Sequence, residues 1–225
     1  MLEQKTLNRE AYKWFYDNVH CHYYNLLMKY CFLPFGGETK CREELIAHVD
    51  FSPRDRIFDM CCGTGGATFA IVRKAGKMNQ IIGMDLSSGQ INVAKKGGHK
   101  SSIRFVEGDV SATGFEDGYF DKVFITHALH EMPREVRLKV LTEAKSILKE
   151  KGKVIILEVD NPESSIIRLF IGFWFFYWLP FNFETPTRKD MLKHGLTNEV
   201  KEAGFKSVRK ISKYQGVFQI VEGEK

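Results

Sequence analysis

Five short apolar runs recur between residues 56 and 157, and the stretches between them have helical spacing. The runs are Arg56–Met60, Gln80–Asp85, Ile103–Val106, Asp121–Thr126 and Lys153–Leu157. Brief, nearly continuous apolar runs separated by helices predict strands of a parallel sheet covered on both faces. Ala67–Ala75 predicts the helix after the first run, and Ser87 with Gln90 has the spacing of a capping box opening the next. Val136, Val140, Leu141, Ala144, Ile147 and Leu148 share one face of a longer helix, with Pro133 near its start. Lys149 and Lys151 fall near its C-terminal end, before Gly152. A further helix over 187–203 stops at Gly204, and strand-like runs follow at 206–212 and 214–221. The prediction is an α/β fold, a seven-stranded, mostly parallel, doubly wound sheet with an antiparallel final strand.

One run breaks this rhythm. From Ile166 to Leu179 the chain is apolar apart from Arg168 and Gly172. As a helix it is about 21 Å long, short of the roughly 30 Å hydrocarbon core of a bilayer. It also lacks a polar face. Exposing half a dozen such side chains forfeits roughly 1.5 to 3 kcal/mol each, a large loss for a fold stable by about 5 to 15 kcal/mol. The expected covers are a lipophilic substrate, a membrane surface, a second protomer in a homodimer, or simply the core. The insert is placed at about 163–186, roofing a site, with Phe173, Phe176 and Tyr177 lining a substrate pocket.

The 225 residues suit one domain, read as an N-terminal helical cap (1–50) on a main domain (51–225). The net charge of +5 is spread among interleaved acids and bases, and no arginine-rich groove or tail marks a nucleic-acid partner. Charges occupy the N-terminus where a signal peptide needs an apolar stretch, so a cytoplasmic protein is expected, with peripheral membrane contact as an option. The five cysteines (21, 31, 41, 61 and 62) form no C-x-x-C pair, which argues against both a disulfide framework and a metal site.

The chemistry concentrates where the apolar runs end. Asp59 closes the first run, and Gly63 and Gly65 let the following turn approach a ligand closely. Asp85 ends the second run, 19 residues after Gly66, the distance at which an acid accepts from ribose hydroxyls. Asp109 follows the third run. The turn matches neither the P-loop nor G-x-G-x-x-G, and an acid at its mouth favours a cationic nucleoside over a pyrophosphate. S-adenosylmethionine has that chemistry. An ordinary strand–turn–helix connection is the plain alternative.

Asp59-Met-Cys-Cys-Gly-Thr-Gly65, Gly83-Met-Asp-Leu-Ser87, Val106-Glu-Gly-Asp-Val110 and Gly118-Tyr-Phe-Asp121 resemble successive motifs of the class I S-adenosylmethionine-dependent methyltransferases, whose fold is Rossmann-like. The similarity spans roughly residues 40 to 160 and is greatest to the ubiquinone/menaquinone C-methyltransferase group. Tyr16-Asp17, Tyr23-Tyr-Asn25 and Phe35-Gly36 through Arg42-Glu-Glu-Leu45 are similar to that group's cofactor-capping segment. The resemblance implies S-adenosyl-L-methionine as cofactor. It places Asp59, Gly63 and Gly65 at the methionine end, Asp85 and Leu86 at the ribose, and Asp109 with Val110 at the adenine. Tyr24 would close over the methionine portion, and Cys61 and Thr126 complete the contacting set. Both adjacent cysteines are expected to be passengers, Cys61 standing where many relatives have glycine.

The chain departs from the quinone enzymes after the fourth run. Those enzymes carry an Arg-Asn pair tied to deprotonation, and here His130 and Glu131 stand instead. A histidine, with an ordinary pKa near 6.5, can accept a proton from a phenol, thiol or enol. His130, His127 and Glu131 are therefore the catalytic candidates, with packing against cofactor or the next helix as the alternative role for the histidines. The expected acceptor is a lipophilic small molecule, a quinone precursor or lipid. A small polar metabolite or thiol is the other enzymatic reading, and a non-catalytic binding module on a cofactor fold is the reading from another class.

Overall fold

The computed structural model describes residues 9–76, 78–98, 102–178 and 185–225. Side chains of residues 175–178 lie outside the described residues, and with them the expectations for Phe176 and Tyr177.

Among the described residues three α-helices precede the first strand: α1 (Arg9–Phe15), α2 (Cys21–Cys31) and α3 (Glu38–Leu45). Then β1 (Arg56–Met60), α4 (Gly66–Ala75), β2 (Gln80–Asp85), α5 (Ser88–Lys96), β3 (Ile103–Glu107) and β4 (Phe120–Thr126) follow the expected alternation. The C-terminal half runs α6 (Arg134–Ile147), β5 (Leu148–Val159), α7 (Ser165–Trp178), α8 (Thr185–His194), α9 (Leu196–Glu202), β6 (Lys206–Lys213) and β7 (Phe218–Glu224).

The strands form one sheet in the order β3-β2-β1-β4-β5-β7-β6. The first five are parallel, and β7 runs antiparallel to both β5 and β6. Alternate residues serve opposite faces. Phe58, Met60, Val123, Ile125, Val154 and Ile156 pack with α6, α8 and α9. Ile57, Phe124, Ile155 and Leu157 pack with α3, α4 and α7. Apolar burial on both faces is why these runs read as continuous rather than alternating.

Three elements depart from expectation. Helix α6 stops at Ile147 and β5 begins at Leu148, so Lys149 lies in a strand, where its Nζ meets Asp121 Oδ1 at 2.7 Å instead of capping a helix. The stretch 187–203 is two helices, interrupted at Gly195 with φ of +80°. Ser87 accepts the Gln90 amide N–H at 3.1 Å, but the Gln90 side chain turns away to His20 Nδ1 at 3.0 Å, leaving half of the capping box unmade.

Candidate active site

The chain runs outward from β1 to β3 and returns on the other side at β4, so the sheet reverses between β1 and β4. Ligands of such sheets bind beyond the carboxyl ends at this reversal. Here Asp59–Gly65 approaches from β1 and Thr126–Glu131 from β4.

The turn after β1 is set by backbone conformation. Gly63 and Gly65 have φ of +54° and +84°, and Cys61, at +61°, adopts the left-handed conformation that glycine favours. The Gly63 amide donates to Asp85 Oδ2 and the Ser87 amide to Asp85 Oδ1, both at 2.9 Å, so one carboxylate holds the ends of β1 and β2 together. Burial raises the Asp85 carboxyl, and these two amides pull it back. Asp109, past β3, accepts the amide and hydroxyl of Ser111 at 2.9 and 2.7 Å, and Val110 is buried beside it.

Asp59 is fully buried. Its Oδ2 accepts the Thr68 hydroxyl at 2.6 Å, while its Oδ1 is buried without a hydrogen-bond partner. Burial pushes its carboxyl up to about 7, although Thr68 and Arg42 oppose the shift. A buried carboxylate with an unmet acceptor suits a cationic, hydrogen-bonding group, which is the donor set that the amino group of S-adenosylmethionine offers.

The N-terminal helices are fastened over this crevice. Lys13 Nζ donates to the Leu86 carbonyl and to Glu107 Oε1, both at 2.8 Å. Asp17 Oδ1 accepts the Ser87 hydroxyl at 2.6 Å and the Gly89 amide at 3.1 Å. A Cβ on Gly89 would land on the Asp17 backbone, so the contact requires glycine there. Tyr24, on α2, is half-buried beside Arg42, and desolvation pushes its hydroxyl up to about 12.

The β4 side separates the two histidines. His127 has φ of +52° and lies edge-on to Phe32 and Phe218, with its Nε2 buried and unpartnered. Burial drives its pKa down to about 3. Burial thus favours the neutral ring, and its packing here is against Phe32 and Phe218. His130 sits in a short 3-10 turn, its Nδ1 2.8 Å from Glu158 Oε2. Glu158 is fully buried. Burial alone would raise its carboxyl, yet His130, His127 and the Val159 amide hold it near 2. Its Oε1 also accepts the Leu129 amide at 2.7 Å. An ionised Glu158 keeps the proton on His130 Nδ1 and makes Nε2 the basic nitrogen. Glu131 accepts the Tyr16 hydroxyl at 2.7 Å, which joins the N-terminal helices to the loop after β4.

Sequence patterns did not single out Glu158, although an acid ending an apolar run was the signal that marked Asp59 and Asp85. Cys61 and Cys62 are free, and burial near Asp85 and Asp59 raises both thiols well above their ordinary range, which disfavours a thiolate nucleophile. Among the described residues no cluster of His, Cys, Asp and Glu is arranged to hold a metal ion. Phe173, expected in a pocket wall, is 69% exposed, because Ile167 and Ile171 take the inward face of α7.

Residues 57–152 match a protein family described as a methyltransferase domain. The chain is 35% identical over 128 residues to the demethylmenaquinone methyltransferase of Lactococcus lactis subsp. lactis (strain IL1403), covering 56% of this chain and 50% of that protein. It is 31% identical over 152 residues to the demethylmenaquinone methyltransferase of Bacillus subtilis (strain 168), covering 66% and 64%. The match thus spans between half and just under two thirds of these relatives' own length. A solved structure from Methanococcus maripaludis, described as a candidate S-adenosyl-L-methionine-dependent methyltransferase, is similar with a TM-score of 0.69 and 20% identity, covering 92% of each chain. A SAM-dependent methyltransferase from Aquifex aeolicus is similar with a TM-score of 0.61 and 15% identity, covering 91% and 97%. At such identities the structural likeness is one of fold.

Proposed function

We propose that the chain is a methyltransferase of the class I fold, which transfers a methyl group from S-adenosylmethionine to an apolar small molecule, a quinone precursor or a membrane lipid. The reading rests on the meeting of the Asp59–Asp85 cradle with the His130–Glu158 pair at the ends of β1, β2, β4 and β5. The apolar acceptor is supported by the name of the relatives and by α7, which begins seven residues after Glu158.

In this proposal Asp59, Gly63 and Gly65 hold the amino-acid end of the cofactor, Asp85 and Leu86 the ribose, and Asp109 with Val110 the adenine. Tyr24, Cys61 and Thr126 complete the walls. When bound, S-adenosylmethionine supplies an electrophilic methyl group on its sulfonium. The protein positions the acceptor atom in line and excludes water by closing the cap. The acceptor's proton passes to His130 Nε2, and ionised Glu158 stabilises the imidazolium that forms. His130 thereby fills the place of the Arg-Asn pair of the quinone enzymes.

The test is incubation with labelled methyl donor and a panel of demethylated quinol, lipid, thiol and small-amine acceptors. Label is expected in a quinol or lipid. Label confined to the thiol or amine would overturn the acceptor class, and no cofactor binding by calorimetry would overturn the enzyme reading. His130→Ala is expected to cut turnover by about 10²- to 10⁴-fold with cofactor affinity intact. Glu158→Gln should move the acid limb of the pH–rate profile to lower pH. Full activity in His130→Ala would remove that residue from the chemistry.

A further inference from the structure

Helices α2 and α7 pack side by side. Their inner faces are used, with Cys31 and Ile171 buried and Met28 and Ile167 packed against the same core cluster. Their outer faces are apolar as well. On α2 and its flanks, exposed Val19, Tyr23, Leu26, Tyr30 and Leu33 recur at intervals of four, three, four and three residues, a single helical stripe. On α7, exposed Ile166, Leu169, Phe170 and Phe173 form a second stripe with spacings of three, one and three. Leu26 is 58% exposed and Leu169 76% exposed, so both stripes reach solvent, with Val19, Tyr23 and Tyr30 partly covered at 36 to 39% exposure. Two adjoining apolar stripes form a patch of the kind that soluble monomers rarely leave bare.

The charges on these helices identify the partner. Neither Cys21–Cys31 nor Ser165–Trp178 contains an acid, and exposed His22, Lys29 and Arg168 are their only ionisable groups besides cysteine and tyrosine. The nearest acid in sequence to α7 is Glu163, which precedes it. Aromatic and aliphatic side chains flanked by bases without acids are the signature of helices lying in a bilayer interface. A symmetric dimer through the same face would bring the Lys29 and Arg168 side chains of both copies together with no acid on either helix to meet them. Among the described residues no helix is long and apolar enough to cross a membrane.

We propose that the outer faces of α2 and α7 together form a docking surface for an anionic lipid membrane. The inner side of α2 carries Tyr24, so one helix separates the cofactor crevice from the bilayer, and a lipophilic molecule reaches the site without crossing water. The docking surface does not depend on the reaction assigned above, because vesicle binding needs no methyl acceptor.

The experiment is vesicle co-sedimentation of the full chain with phosphatidylcholine alone and with phosphatidylcholine mixed with phosphatidylglycerol. Wild type should bind the mixed vesicles more tightly, and added salt should weaken that preference. Leu26→Asp combined with Leu169→Asp should abolish binding to both vesicle types. Lys29→Gln combined with Arg168→Gln should weaken binding to mixed vesicles about 25-fold, roughly fivefold per base, and leave binding to phosphatidylcholine unchanged. Melting temperature and cofactor calorimetry should match wild type in both variants, which separates a failed docking surface from a failed cofactor site. Absence of wild-type vesicle binding, or equal binding to both vesicle types, would overturn the proposal. So would a solution dimer that the two aspartates dissociate, which would assign the face to a second copy. If the aspartate variant does not fold, the wild-type preference and the charge variant decide alone.

Discussion

Asp85 ties β1 to β2 with the same two oxygens that the proposed site offers to a ribose. Each accepts a backbone amide, and each retains a lone pair for a hydroxyl. Asp85→Ala should therefore weaken S-adenosylmethionine and its demethylated product alike, by roughly 10- to 100-fold, as charge-assisted hydrogen bonds worth about 1.5 to 3 kcal/mol are lost. Isothermal calorimetry measures this, and equal affinity in the variant would place the ribose elsewhere. Strand-ending acids were legible in the sequence because an ionisable group closing an apolar run has few structural uses. Glu158 carried the same mark, but its partner His130 lies 28 residues away and meets it only through the pairing of β4 with β5. The fate of His127 was not legible either. Phe32 and Phe218, which enclose it, come from opposite ends of the chain.

Elements were legible where periodicity was strong, and their ends where a single residue dictated them. Strands β1 and β2 fall where the apolar runs predicted. The start of β5 did not, because Leu148 satisfies the helical face of α6 and the strand pairing with Phe120 equally well. The break at Gly195 is a tertiary feature. Around it, buried Arg137 of α6 binds both carboxylate oxygens of Glu199 on α9, at 2.8 and 2.6 Å, and Asp190 on α8 at 2.8 Å. These pairs tie α6, α8 and α9 together. Removing one partner strands buried charge, so Arg137→Ala should cost about 3 to 5 kcal/mol and lower the melting temperature by roughly 10 °C. Thermal unfolding tests it, and a change within a degree or two would show that the helices hold by apolar packing alone.

At the scale of the whole molecule, the buried Asp59 couples stability to pH. Its folded pKa of about 7 lies above the ordinary 3.8, so the folded state holds this proton more tightly than the unfolded chain does. Its contribution is greatest below pH 4 and is lost as pH rises towards 7, on the order of 4 kcal/mol in all. Denaturant unfolding of the cofactor-free protein from pH 5 to 8 should show that decline, and Asp59→Asn should flatten it while weakening cofactor binding. An unchanged slope in the variant would assign the proton to another group. The sheet order has a consequence for synthesis. Strand β7 is the last of the seven to leave the ribosome, yet it lies between β5 and β6. Until it arrives, β5 keeps one edge open and β6 has no neighbour at all. A nascent chain made as far as residue 216 therefore displays one open edge of β5 and both edges of β6, the condition that favours association between chains. A truncation ending there should be recovered in aggregates and be quickly degraded by added protease, whereas the full chain remains dispersed and resistant.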